Sequence, residues 1–187
     1  MVPAFVGKIR KEANIDDLLL TEDTGEKLLA MLENNQLDAV ITGGKYAEAD
    51  RWKEKFIHAS LGPTDLSYCV GAGSKLAKFD ELSLKQIAEE PAVMLSRDFP
   101  LTKSLEDLFK ERGLELNVVL RSSQLFTIEN FIASGIAGGF LPRDAALKNR
   151  DIKLLSCPEI DNFRDHPAML FYKGSNTYAG ILNAMAH

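Results

Sequence analysis

The sequence is poor in the two residue types that most often hold metal ions or form disulfides, with two cysteines and three histidines among 187 residues. Cys69 and Cys157 lie in apolar, strand-like runs and show neither CxxC nor Cys/His spacing. His58, His166 and His187 are scattered, without an HExxH motif. Metal sites are recognised in sequences by such close spacings. We therefore expect no metal site, and both cysteines are expected to be small buried apolar residues.

Long apolar runs and an excess of positive charge are also missing. No run approaches the roughly 18 apolar residues that a membrane span needs. The chain starts with MVPAFVGKIRKEAN, in which Lys8, Arg10 and Lys11 follow the apolar residues, the reverse of a signal peptide. The net charge of -5 and the pI near 5.3 leave no broad basic face for nucleic acid. These features predict a cytoplasmic chain without membrane contact, whose own surface does not bind DNA.

Recognised catalytic and nucleotide-binding motifs are absent as well. The stretch GIAGG, residues 135–139, matches neither GxGxxG nor a P-loop and follows a helix instead of a strand. Ser134 lacks the first glycine and the strand–turn–helix setting of a nucleophile elbow. Acidic stretches such as TEDTGE and AEADRWKEK are typical of solvated helix faces and helix starts. The sequence therefore indicates no catalytic residues, no cofactor and no enzyme.

The sequence does contain a regular alternation of helical and strand-like apolar patterns, within an ordinary globular composition of 45% hydrophobic and 26% charged residues. Hydrophobic periodicity predicts helices at 2–14, 25–36, 46–55, 84–90, 102–113, 123–135, 143–150 and 176–186. The predicted strands are 15–23, 37–44, 55–62, 65–73, 92–96, 116–122, 137–142, 152–157 and 168–174. This order begins with a βαβ unit, and it predicts an α/β fold with mainly parallel sheets flanked by helices, in two sets.

Local signals refine several of these boundaries. Thr24 is predicted to cap the helix that follows it, and Ser83 with Gln86 has the spacing of a capping box. Gly135 stands where a helix ends in a left-handed residue. The pair Gly138–Gly139 is expected to let two backbones approach closely, since neither residue has a side chain.

Four stretches, taken in order, resemble a known family. They are LLLTEDTGEKLLAMLENNQLDAVITGG, AEEPAVMLSRD, LNVVLRSSQLFTIENFIASGIAGGFLP and AMLFYKGS. Together they are similar to the effector-binding regulatory domain of LysR-type transcriptional regulators, and the resemblance runs through nearly all 187 residues. It implies a periplasmic-binding-protein type II fold, in which two α/β lobes are joined by two crossover strands and bind a small-molecule effector in the cleft between them.

The resemblance also implies what the whole protein does. Such a protein is a homodimer or homotetramer that controls transcription in response to a small, here anionic, metabolite. It binds promoter DNA through an amino-terminal helix-turn-helix domain that would precede Val2. A first regulatory strand, central in the sheet of lobe I, would precede Val2 too, so we expect a gap or a rearranged edge in that lobe.

Lobe boundaries follow from the same resemblance. Lobe I is expected at 1–68 plus 159–187, lobe II at 72–151, and the crossover hinges near 69–71 and 152–158. Cys69 and Cys157 would then lie on crossover strands that run side by side. A redox switch there would need their Cα atoms within about 7 Å, and their positions do not match those of the family's peroxide sensors.

Candidate effector contacts lie where strands end and helices begin, because unpaired backbone N–H groups and hydroxyls converge there. Arg97 is expected to pair bidentately with a carboxylate, and the alternative is a solvated loop arginine or a salt bridge between the lobes. Hydroxyls at these positions are equally explained by capping and turn formation. The predicted contacts, which the resemblance places in the same loops, are Thr42, Gly43, Ser96, Arg97, Thr102, Ser122 and Ser123.

Two other functions use the same fold. A solute-binding receptor of a transporter closes around its ligand as its whole output, and a signal peptide upstream would favour it. An enzyme on this scaffold would turn over its substrate without any partner, but the sequence offers no residues for the chemistry.

Overall fold

The computed structural model describes residues 2–15, 17–63, 65–161 and 167–185. The helices are, in chain order, α1 (Val2–Ala13), α2 (Gly25–Glu33), α3 (Lys45–Glu48), α4 (Leu84–Glu89), α5 (Pro100–Lys110), α6 (Leu125–Ala133), α7 (Arg143–Ala146), α8 (Pro158–Asp161) and α9 (Ala179–Met185). The strands are β1 (Ala39–Gly43), β2 (Ile57–Gly62), β3 (Leu66–Gly71), β4 (Ala92–Leu95), β5 (Val118–Ser122), β6 (Gly138–Pro142), β7 (Ile152–Leu155) and β8 (Ala168–Tyr172). The chain divides into two compact units, a first unit of Met1–Pro63 with His166–His187 and a second unit of Thr64–Asp165. No described helix is both long enough and apolar enough to cross a membrane.

The first unit is a small antiparallel sheet with helices on both faces. Its strands lie in the order β1-β8-β2, and β8 pairs antiparallel with both neighbours. Successive residues of a strand point to opposite faces. Phe171 accordingly packs with Leu29 of α2, whereas its neighbours Leu170 and Tyr172 pack with Leu182 of α9. Both faces of β8 are therefore buried.

Two predictions for the first unit are wrong. Its sheet is not mainly parallel, and the segment predicted as a strand at 15–23 forms no regular structure at its described positions. Leu18, Leu19 and Leu20 are 40%, 88% and 64% exposed. The physical reason is that a strand needs a hydrogen-bonding partner, and among the described residues none pairs with this segment. The initial βαβ unit is therefore absent from the described part of the chain.

An open groove lies beside this segment, along the edge of β1 that has no described strand next to it. Its volume is about 560 Å³. Apolar side chains of α1 and α9 line one side, the segment at 17–23 lines another, and residues 36–41 complete the lining. The groove therefore exposes the apolar interior of the first unit at the edge of its sheet.

The second unit is a mixed sheet between two helical layers. Its strands lie in the order β5-β4-β6-β3-β7, with β4 parallel to β5 and β6, and β3 antiparallel to β6 and β7. Tyr68 packs with Phe109 of α5 on one face, whereas Cys69 packs with Ile128 and Ile132 of α6 on the other. Helices on both faces of a sheet are the layered arrangement of an α/β domain.

The glycines of the second unit have the roles that the sequence predicts. Gly135 follows the end of α6 with a φ of 75°. A Cβ atom on Gly138 would lie 2.6 Å from Cζ of Tyr68, and one on Gly139 would lie 2.7 Å from the carbonyl oxygen of Val93. Real Cβ atoms do not approach other atoms so closely. The predicted close approach of two backbones is therefore confirmed at Gly139, whereas Gly138 makes room for the side chain of Tyr68.

Several helix boundaries differ from the prediction. The capping box of Ser83 and Gln86 is confirmed, because each side chain accepts a hydrogen bond from the backbone N–H of the other. Thr24 occupies the N-cap of α2, but its side chain makes no capping hydrogen bond. The predicted helices at 46–55 and 143–150 are each reduced to a four-residue helix followed by turns.

The two cysteines are buried free thiols on opposite faces of one sheet. Strands β3 and β7 run side by side, as predicted, and Cys69 pairs with Leu154 in their register. Cys69 packs on the α6 face, whereas Cys157 packs on the α5 face. Burial raises the pKa of Cys69 to about 12 and that of Cys157 to about 11. Both residues therefore behave as small apolar groups, and this arrangement gives no support to a redox switch.

Candidate functional site

The second unit brings the loops after β4 and β5 together at one edge of its sheet. The two strands are parallel neighbours, with Leu95 opposite Ser122. Loops that follow neighbouring parallel strands leave the sheet at the same edge, where ligands of α/β sheets bind. The backbone N–H of Ser96 donates to the carbonyl oxygen of Ser122 at 2.9 Å. Four predicted contacts, Ser96, Arg97, Ser122 and Ser123, are therefore neighbours.

Thr102 belongs to the same edge but lies inside a helix. The helix α5 begins at Pro100, two residues earlier than predicted, so Thr102 is in its first turn and not at its start. Its side chain is buried, and its Oγ1 donates a hydrogen bond to the carbonyl oxygen of Leu95 at 3.2 Å. The hydroxyl therefore ties the first turn of α5 to the carboxyl end of β4.

The serine hydroxyls differ in their surroundings. The Oγ of Ser122 accepts a hydrogen bond from the backbone N–H of Gln124 at 3.1 Å, a local turn contact. Ser123 is exposed. The Oγ of Ser96 is buried and has no hydrogen-bond partner among the described residues. Because burying a hydroxyl without a partner costs free energy, Ser96 is the hydroxyl of this edge with most to gain from a ligand.

Arg97 is engaged in a salt bridge within the second unit. Its side chain is 73% exposed, and its Nε lies 3.3 Å from each carboxylate oxygen of Glu106 on α5. Among the described residues, no hydrogen bond involves its two terminal nitrogens. An arginine forms its most directional anion contacts with a pair of N–H groups, and this end-on pair remains available.

Sequence reasoning missed the second arginine of this edge and the carboxylate that both arginines share. Arg121 of β5 pairs with Glu106 through Nη2, and its Nη1 donates to the carbonyl oxygen of Leu95 at 3.4 Å. A signal for Glu106 was present, because it follows Thr102 by four residues and residues four apart share one helix face. Arg121 directly precedes the predicted contact Ser122. The cluster of Arg97, Arg121 and Glu106 carries a net charge of one positive unit.

The other two predicted contacts belong to the first unit. Thr42 and Gly43 end β1, opposite Met169 and Ala168 of β8. The helix α2 starts directly beside them, since a Cβ atom on Gly25 would overlap Oγ1 of Thr42. A helix start exposes unpaired backbone N–H groups. The first unit therefore also places a hydroxyl and a helix start together at a strand end.

No metal centre accompanies these residues. Across the described ranges, no group of three or more His, Cys, Asp or Glu side chains is placed to hold a metal ion.

Comparison with known proteins relates this chain to transcriptional regulators. The LysR substrate binding domain family matches residues 2–177. The malonate utilization transcriptional regulator of Klebsiella pneumoniae is 25% identical over 151 residues, which cover 80% of this chain and 47% of that protein. The chain spans about half the length of the curated relatives it matches.

Solved structures give the same relationship at the level of the fold. The cofactor-binding domain of the Cbl transcriptional regulator matches with a TM-score of 0.82 and 16% identity, covering 100% of this chain and 81% of that one. The effector-binding domain of QuiR in complex with shikimate matches with a TM-score of 0.78 and 17% identity, covering 100% and 88%. The predicted periplasmic-binding-protein type II fold is thereby confirmed. The chain belongs to the LysR substrate binding domain family, the effector-binding regulatory domains of LysR-type transcriptional regulators.

Proposed function

We propose that this effector-binding domain senses a small anionic metabolite. The observation that supports an anion is the cluster at the carboxyl ends of β4 and β5, where Arg97 and Arg121 share the single carboxylate of Glu106. One positive charge there lacks a matching carboxylate, and arginine recognises carboxylates and phosphates best. QuiR binds shikimate and one relative is named for malonate utilization, and both compounds are carboxylates.

Among the predicted contacts, Arg97 supplies a charged interaction and the hydroxyl groups supply neutral hydrogen bonds. We propose that the two terminal nitrogens of Arg97 take two oxygens of the anion. The Oγ of Ser96 gains the partner that it lacks, and the exposed Ser123 adds a hydroxyl beside it. Ser122 only accepts its internal hydrogen bond, so its O–H can donate to the anion. Thr102 already donates its proton to Leu95, so it can only accept a hydrogen bond from an N–H or O–H group of the ligand. For the first unit, we propose Thr42 and Gly43 as effector contacts.

In the whole protein, ligand binding is proposed to alter DNA binding and transcription. A ligand shifts an equilibrium only when its affinities for two states differ. We propose that the full-length regulator is a homodimer or homotetramer, that it contacts promoter DNA through a helix-turn-helix domain, and that it acts in the cytoplasm beside the DNA. The proposal includes no catalysis, because the edge holds binding groups without a nucleophile paired to a base. The transporter receptor has no support among the relatives.

Calorimetric titration of the chain with malonate, shikimate and inorganic phosphate tests this proposal, with Arg97→Ala as the variant. A charge-assisted hydrogen bond contributes about 1.5–3 kcal/mol, so the variant should bind the preferred anion at least about tenfold more weakly. The matched control is Arg150→Ala, because Arg150 is exposed and precedes β7 at the opposite edge of the sheet. Unchanged affinities in Arg97→Ala, or no binding of any of the three probes at millimolar concentration, would contradict the proposal.

A further inference from the structure

We infer that Glu106 tunes the charge selectivity of this site, because it weakens the binding of a doubly charged anion more than that of a singly charged one. The inference rests on the proposed function and adds a specificity-determining residue to it. Glu106 does not need to touch the ligand, because its carboxylate lies against the arginine that does.

The geometry of Arg97 supports this role. Both carboxylate oxygens of Glu106 lie 3.3 Å from Nε of Arg97, and no hydrogen bond among the described residues links Glu106 to the two terminal nitrogens of Arg97. An anion that binds to the two terminal nitrogens of Arg97 therefore uses N–H groups other than the one that Glu106 accepts from. The carboxylate of Glu106 and the anion share Arg97 without excluding one another.

Partial burial reduces the screening of the Glu106 charge by salt and solvent. The side chains of Glu106 and Arg121 are only 26% and 27% exposed, and they hold each other by a direct ion pair. Charges in such positions are screened less by salt than exposed charges. The ion pair thus holds the carboxylate of Glu106 in place. Both terminal nitrogens of Arg121 are engaged, one with Glu106 and the other with the carbonyl oxygen of Leu95.

The charges of the cluster give the direction of this effect. Two arginines and one carboxylate leave one positive unit, which attracts an anion of either charge. A doubly charged group brings a second negative charge toward the carboxylate of Glu106. Because Coulomb energy scales with the product of the charges, Glu106 disfavours a dianion twice as strongly as a monoanion.

The test compares malonate with its monoamide, malonamate, which has nearly the same shape and one negative charge fewer. Calorimetric titrations are made with the wild-type chain and with Glu106→Gln, which keeps an acceptor for both arginines. A charge interaction of about 1 kcal/mol corresponds to about fivefold in affinity. We expect Glu106→Gln to bind malonamate about fivefold and malonate about 25-fold more tightly. The ratio of the two affinities should thus change about fivefold toward malonate.

Two control variants distinguish the effect of the Glu106 carboxylate at Arg97 from the effect of the protein's overall charge. Glu106→Asp keeps the charge and should keep the wild-type affinity ratio. Asp98→Asn removes an exposed carboxylate from the neighbouring loop position, where no described residue forms an ion pair with it. Because solvent screens an exposed charge more effectively, this variant should shift the ratio less than Glu106→Gln.

The outcomes distinguish this inference from the proposed function. An unchanged ratio in Glu106→Gln, with both anions weakened in Arg97→Ala, overturns the role of Glu106 and leaves the anion site standing. Binding that Arg97→Ala does not weaken overturns both. Malonate binding that becomes measurable only in Glu106→Gln supports the inference. No binding of malonate or malonamate by either protein overturns the inference, and the anion site is overturned with it only if shikimate and inorganic phosphate also fail to bind.

Discussion

Val93 and Gly139 face each other across the parallel pair of β4 and β6, so closely that a Cβ atom on Gly139 would lie 2.7 Å from the carbonyl oxygen of Val93. The side chain of Ile132 covers the same position at 2.8 Å. A methyl group at this point has a strand backbone on one side and a buried helix residue on the other. The backbone of β4 is a less adaptable neighbour than a side chain, so the strands themselves would have to move apart.

Gly139→Ala is therefore expected to destabilise the protein. Forcing an extra methyl group into a packed core costs about 1–3 kcal/mol, and urea unfolding followed by circular dichroism measures the loss. The matched control is Gly180→Ala in α9, where an added Cβ meets nothing within 4 Å. There, alanine should raise stability by up to about 1 kcal/mol because of its higher helix propensity. Equal stabilities of the two variants would show that β4 and β6 are not packed as described.

Thr102→Val tests the hydrogen bond that ties α5 to the end of β4. Valine has the shape of threonine but has no hydroxyl, so the carbonyl oxygen of Leu95 loses a donor that lies at 3.2 Å. The expected loss of unfolding free energy is about 0.5–1.5 kcal/mol. Thr127→Val makes the same change in α6 at a hydroxyl without a described hydrogen bond, and it should be close to neutral. A loss shared equally by both variants would assign the effect to valine in a helix and not to this bond.

Sequence patterns predicted the second unit well because most of its elements are specified locally. Apolar periodicity, the capping box at Ser83 and the helix end at Gly135 each act within a few residues. The segment at 15–23 failed for the opposite reason. Its apolar run has the composition of a strand, but a strand forms only beside another strand that accepts and donates its backbone hydrogen bonds. None of the described residues provides such a neighbour.

The candidate site shows the same division between local and long-range information. Strand ends and helix starts predicted the loops that hold Ser96, Arg97 and Ser122, and the parallel register of β4 and β5 brings them together. The sequence did not reveal that Arg97 and Arg121 share Glu106. These residues are up to 24 positions apart, and only the packing of α5 against two strands makes their charges neighbours.

The buried cysteines predict slow thiol chemistry. Burial disfavours the charged thiolate and raises the pKa of Cys69 to about 12 and of Cys157 to about 11, from the usual 9.0. At pH 8 both folded thiols are therefore protonated, and a disulfide reagent should react slowly without urea and rapidly in unfolding concentrations of urea.

The same pKa values give the direction in which the unfolding free energy changes with pH. Above pH 9 the unfolded thiols release protons that the folded ones keep, so these two groups lower the unfolding free energy as the pH rises. Rapid reaction of Cys69 in the native protein would contradict its burial.

The leucines beside the groove test whether the segment at 15–23 is unpaired in solution as well. Leu19 is 88% exposed, whereas Leu29 of the adjacent helix α2 is fully buried against β1 and β8. Leu29→Ala should cost about 2–5 kcal/mol, because it removes packed atoms and leaves a cavity. Leu19→Ala should change the unfolding free energy by no more than about 0.5 kcal/mol, since its side chain has few contacts to lose. Urea unfolding of both variants measures the difference. The dependence of the unfolding free energy on urea concentration should equal that of the wild type, which shows that the unfolded states are comparable. A loss at Leu19 similar to that at Leu29 would mean that the segment packs as a buried strand, and the predicted strand at 15–23 would then be right.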